Sequence, residues 1–160
     1  MAIAEQATDK IYWEDFEVGR TAALGEKHVT REEIIAFATE FDPQPFHLDE
    51  TAAKDTPLGG LAASGWHSCA MLMRMICDSY LVNSSSFGSP GLDEVKWLEP
   101  VRPGDVLKAQ YTCVEARPSE SRPDFGVCRM HYEVFNQFGR QVMTWDCTQF
   151  FGRRPSGGGA

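Results

Sequence analysis

Asp42 and His47 stand five residues apart in the segment FDPQPFHLDE, residues 41–50. A carboxylate and an imidazole make an acid/base pair: the ring titrates near neutral pH, and the carboxylate can orient it or share a water with it. Pro43 and Pro45 deny this stretch a helix and are expected to hold it extended, so that both side chains can turn into one cavity from a stiff loop. A plainer reading is open on the same residues. Asp42 then ends a helix, His47 is a satisfied structural histidine, and Asp49 caps a short helical turn over residues 50–54. Spacing alone does not choose between the two.

The second candidate is LAASGWHS, residues 61–68, where Ser64 suits a helix N-cap and Gly65 the first helical residue. Backbone N–H groups at such a start lack intrahelical partners and lie at the positive end of the helix dipole, so they can hold a developing oxyanion. With no side chain, Gly65 would let a carbonyl come close, although a glycine chosen only for packing fits equally well. Phe46, Trp66, Met71, Met73 and Met75 could line an apolar channel, or simply form core. His67 could act as a base but is the kind of histidine that more often serves structure, and Cys69 falls on an apolar stripe where a thiol is inert. The chain has no GxSxG elbow, no phosphate-binding GxxxxGK[ST] or GxGxxG loop, and no paired Cys or His spacing suited to zinc.

The elements that must position these residues follow from periodicity. Thr30 and Glu33 form a capping box ahead of a helix to Phe41, with Ile34, Phe37, Ala38 and Phe41 on one face. A second helix carries Trp66, Cys69, Leu72, Met73, Ile76, Cys77 and Tyr80 along a stripe, with Met71, Met75 and Leu81 on other faces, as expected of a central helix covered on most sides. Downstream the period changes to two. Strands are expected over residues 94–98, 106–114, 128–134 and 141–150, with turns at Pro103–Gly104 and at residues 136–139. A buried helix followed by a run of strands points to an α+β arrangement.

At 160 residues the chain fits one domain, with residues 1–10 and 155–160 expected to be loosely ordered. A formal net charge of −8 is the wrong sign for nucleic-acid binding. The five cysteines are odd in number, never closer than eight residues apart, and set in apolar patterns, as in a reduced cytoplasmic protein. No secretory leader or run of membrane-spanning length is visible.

Taken together, the two candidate segments resemble the signature of the MaoC-like hydratases, in which a first helix ends in Asp-x-Asn-Pro-x-His and a small-residue turn with Gly opens a long central helix. Here the first motif stands as Asp42-Pro43-Gln44-Pro45-Phe46-His47 and the second as Ser64-Gly65. WEDFEVG, residues 13–19, and VRPGD, residues 101–105, extend the resemblance over nearly the whole chain. Gln44 replaces the usual Asn, and Ser64 stands where the hydratases more often carry His.

The resemblance implies a hotdog fold, a curved antiparallel sheet wrapped around a long helix, and a homodimer or dimer of dimers. It implies reversible addition of water to a trans-2-enoyl-CoA or related thioester, giving an (R)-3-hydroxyacyl product. Asp42 and His47 would activate the water, the Gly65 N–H would hold the thioester oxygen, and Ser64, Phe46 and Trp66 would flank the substrate. No metal or other cofactor is implied. A hotdog thioesterase and a non-catalytic acyl-CoA-binding protein are the alternatives on the same scaffold.

Overall fold

The structure, a computed structural model, describes residues 9–156. The loosely ordered ends expected at 1–10 and 155–160 lie outside these residues apart from Asp9, Lys10, Pro155 and Ser156, none of which is in a helix or strand. Strand β1 (Thr21–His28) leads into helix α1 (Arg31–Phe41), the short α2 (Glu50–Lys54) and the central α3 (Gly65–Ile76), after which come β2 (Leu92–Trp97), β3 (Val106–Pro118), β4 (Phe125–Phe135) and β5 (Gln141–Gly152).

All strand pairs are antiparallel, in the order β1-β3-β4-β5-β2. Register shifts in every pairing, at Ala23/Glu26, Leu92/Glu94, Cys113/Glu115 and Val134/Phe135, are the local bends that let a sheet curve. On its inner side Tyr111, Tyr132 and Trp145 stand opposite one another across β3, β4 and β5. Tyr80, from the π-helical turn Cys77–Leu81 that continues α3, meets this row: its hydroxyl lies 2.6 Å from that of Tyr132 and donates to Gln149 Oε1 at 3.1 Å. Tyr132 therefore donates to Tyr80, and the three polar tips are satisfied inside the core.

Around this network Leu72, Ile76, Met130, Val142 and Phe151 are fully buried. A sheet that curves around one buried helix is the hotdog arrangement, as the resemblance implies.

The expected caps form as read. Thr30 Oγ1 accepts from Glu33 N–H while Glu33 Oε2 accepts from Thr30 N–H, and Asp49 Oδ1 accepts from Ala52 N–H at 2.7 Å. Three readings change. β1 was not expected, because TAALGEKH buries only Leu24 and gives no clean alternation; it is an edge strand with a bulge. The segment after Pro43 is not extended throughout, since Pro45–His47 makes one 3₁₀ turn; proline's fixed φ suits the first position of such a turn, where its missing N–H has no partner to lose. Finally, Trp66 leaves the core stripe of α3 and is 61% exposed.

Candidate active site

α1 ends at Asp42, whose backbone N–H still donates to Ala38 O while its own φ and ψ, −149° and 68°, leave the helix. The carboxylate is thus presented at a helix end, and the 3₁₀ turn that follows returns the chain so that His47 Nε2 lies 3.4 Å from Asp42 Oδ2. Helix α3 starts across from them. Ser64, its N-cap, donates from Oγ to Asp42 Oδ2 at 2.7 Å, and Gln44 Nε2 donates to Asp42 Oδ1 at 2.7 Å. These bonds, that of Ser64 foremost, outweigh the opposing effect of burial and hold the Asp42 carboxyl below the usual carboxylate range, with the nearby His47 acting in the same direction.

His47 is buried, with Phe46 edge-on to its ring, and its Nδ1 lies 2.7 Å from the carbonyl oxygen of Ala62. A carbonyl can only accept, so Nδ1 carries a proton and Nε2 is the atom that faces Asp42. In the neutral ring, Nε2 and Asp42 Oδ2 are then two acceptors 3.4 Å apart. One water donating a proton to each is the arrangement that satisfies both. In the imidazolium form Nε2–H donates instead, which makes the same pair a proton source.

The pair opens onto a cavity of about 640 Å³ whose walls are mainly apolar. Asp42, Phe46, His47, Gly65 and Trp66 all line it. Ser64 does not: it is fully buried behind Asp42, and its hydroxyl bonds that carboxylate. Met71, Met73 and Met75 are also absent from the walls, since α3 turns them toward the packed interior.

Gly65 N–H, at the first position of α3, has no hydrogen-bond partner among the described residues. The glycine also has a packing reason. A Cβ built there would stand 2.4 Å from Cε2 of Trp97, whose indole lies against the start of α3 and meets Trp66 edge-to-face at 5.6 Å.

His67 points away from the cavity. It stacks on Phe37 at 4.7 Å, with Nε2 3.6 Å from Glu33 Oε1, and burial depresses its pKa against the pull of Glu33. It ties α3 to α1. Cys69 is buried and its thiol is pushed up by desolvation, consistent with an inert core position. Among the described residues no group of three or more His, Cys, Asp or Glu side chains could hold a metal ion.

Trp97 and the cavity wall from Leu98 to Val101 were missed at the sequence level. The contact of Trp97 with Gly65 joins the end of β2 to the start of α3 across more than thirty residues, a separation on which local periodicity is silent.

Replacing Ser64 with alanine removes both the α3 cap and the donor that most lowers the Asp42 pKa. The expected cost is about 1 kcal/mol for the cap plus about 1.5–3 kcal/mol for the hydrogen bond to a charged group. Because the Asp42 pKa is depressed in the folded state, the stability its carboxylate contributes is present above the ordinary carboxylate range and is lost as pH falls through the lowered value. In Ser64→Ala that loss moves to higher pH, and acid titration of folding against wild type checks it.

The comparisons with known proteins agree with the fold. The MaoC like domain family matches residues 15–129. The crystal structure of a MaoC-like dehydratase from Rhodospirillum rubrum is 40% identical and superposes with a TM-score of 0.84, covering 91% of this chain and 99% of that one. The unliganded R-hydratase PhaJ1 from Pseudomonas aeruginosa is 25% identical with a TM-score of 0.73, covering 91% and 88%. The 3-hydroxybutyryl-CoA dehydratase of Methylorubrum extorquens is 27% identical over 117 residues, 70% of this chain and 69% of the relative. With the matched domain spanning most of its length and including Asp42, His47 and Gly65, the chain belongs to the MaoC-like dehydratase family.

Proposed function

We propose that the protein is a hydratase/dehydratase that adds water reversibly to a trans-2-enoyl thioester, of coenzyme A or a related carrier, to give an (R)-3-hydroxyacyl thioester. The observation that carries this reading is the pair of facing acceptors, Asp42 Oδ2 and His47 Nε2, 3.4 Å apart at the wall of an apolar cavity with the unpartnered Gly65 N–H in the same wall.

Asp42 and His47 hold one water. Its oxygen bonds to the β-carbon of the enoyl group while the pair takes one of its protons and returns a proton to the α-carbon, so that the atoms of one water are added across the double bond. As the double bond is attacked, negative charge moves to the thioester oxygen, which the Gly65 N–H stabilises at the positive end of α3. Phe46 and Trp66 offer apolar contact to the acyl group. The family name, a structural neighbour called an R-hydratase and a relative called a 3-hydroxybutyryl-CoA dehydratase support the reaction class. Loss of enoyl absorbance in the presence of the protein tests it, and release of free thiol from saturated thioesters would instead favour a thioesterase.

A homodimer belongs to the same reading. β2 pairs with β5 on one side only, and Leu92 and Trp97 are exposed along it, so a second copy of the strand can satisfy the unpaired edge and cover the aromatic mouth of the cavity. The expected mass by light scattering is twice that of the chain or a multiple of it, and the mass of one chain would count against this assembly. No helix among the described residues is long and apolar enough to cross a membrane. All five cysteines are free, which suits a reducing compartment such as the cytoplasm.

A further inference from the structure

We infer that Arg102 is a positioning residue for the Asp42–His47 pair, acting through the loop that its guanidinium folds. The group donates from Nη1 to the carbonyls of Gly60, at 2.8 Å, and Leu61, at 3.3 Å, and from Nη2 to that of Leu58. No carboxylate pairs with it among the described residues, so its hydrogen bonds are spent on backbone oxygens of one short loop. That loop wraps the group closely: Gly59 and Gly60 both have positive φ, and a Cβ on Gly60 would lie 3.3 Å from Nη1.

The residues that follow immediately are those that set the site. Ala62 O receives the His47 Nδ1 proton and so fixes which ring nitrogen faces Asp42; Ser64 donates to Asp42; Gly65 opens α3. Arg102 is itself anchored. Its backbone N–H donates to Asp105 Oδ2 at 2.8 Å and Asp105 Oδ1 accepts from Gln137 Nε2 at 2.9 Å, while Val29 N–H donates to Asp105 O and Val29 O accepts from Gly104 N–H. The adjacent Val101 O accepts from Ala63 N–H at 2.9 Å, so the turn grips the loop at two points. A rigid turn on the sheet thus holds, through one planar five-donor group, the backbone that orients the catalytic histidine. Lysine, a point charge on a flexible stem, cannot donate to three carbonyls in that fixed fork.

The test reads His47 first and activity second, because the activity arm rests on the hydratase reading while the ring does not. In wild type, nitrogen-15 NMR recorded on the neutral ring of His47 is expected to place its proton on Nδ1. In Arg102→Ala, and in Arg102→Lys if alanine fails to fold, a mixture of the two neutral tautomers is expected, with guanidinium at low, non-denaturing concentration restoring the Nδ1–H form to the alanine variant. If wild type hydrates enoyl thioesters, kcat is expected to fall about ten- to a hundredfold with KM changed only a few-fold, as for a displaced acid/base group, and the same guanidinium recovers part of it. A folded variant that keeps the wild-type His47 tautomer, or one whose tautomer is disturbed but does not respond to guanidinium, overturns the inference. An inactive wild type with a disturbed, guanidinium-rescued His47 in the variant would overturn the hydratase reading and leave the role of Arg102 standing.

Discussion

Asp42→Ala and His47→Ala are each expected to lower enoyl-thioester hydration by about two to four decades, the range for losing positioned acid–base help. The side chains share one task, so the double variant is expected to be scarcely worse than either single one, as for groups that act as a unit. The structure gives the reason. Asp42 Oδ2 and His47 Nε2 face each other at 3.4 Å, and in the proposed mechanism removal of either would leave the attacking water one acceptor instead of two. Stability should fall as well, but only modestly. His47 Nδ1 is tied to Ala62 O and Asp42 to Ser64 and Gln44, so each truncation strands buried or half-buried partners and costs about 1–3 kcal/mol. That is too little to account for a hundredfold or greater loss in a protein that remains folded, and melting curves recorded beside the rates separate the two effects.

Gly65→Ala carries the second large effect. The new Cβ would stand 2.4 Å from Cε2, 2.6 Å from Cδ2 and 2.8 Å from Cζ2 of Trp97, so the indole or the start of α3 must move. Overpacking of this kind costs about 1–3 kcal/mol. Displacement of the helix start also moves the N–H on which the thioester oxygen would rest, so activity is expected to fall by more than tenfold. Pairing the change with Trp97→Ala decides between the two roles of the glycine. The double variant should regain stability relative to Gly65→Ala, with a coupling of about 0.5–3 kcal/mol. If Gly65 serves packing alone, activity returns with it; if close approach of the carbonyl also requires glycine, activity stays low. Stability without activity is the expected result.

Much of this was legible in the residues. Thr30 and Glu33 announce α1 because both halves of the capping box are in the chain, and Cys128, Met130, Tyr132 and Val134 announce β4 because every second side chain must be buried on a sheet with one inner face. That Gly65 meets Asp42 and His47 could be told only through resemblance to a family, since nothing local says that the end of α1 faces the start of α3.

What remained hidden depends on contacts distant in sequence. β1 buries little and is bent by a bulge, so its strand identity comes from pairing with β3. Trp66 has the spacing of a core residue yet lies at a cavity mouth, because its face of α3 meets Trp97 and solvent instead of the sheet. Ser64 was expected at the substrate and instead holds Asp42, a distinction of side-chain direction that a cap signal does not contain. Arg102 looked like part of a turn, and only the folded chain shows its guanidinium among three carbonyls.

The most direct measurement is the absorbance of a trans-2-enoyl-CoA, first crotonyl-CoA and then a longer chain, on addition of the wild-type protein, with the configuration of the product determined. Loss of the enoyl absorbance with formation of the (R)-3-hydroxyacyl thioester is the predicted result. Unchanged absorbance with both substrates, or an (S) product, would contradict the assignment of water addition to Asp42 and His47.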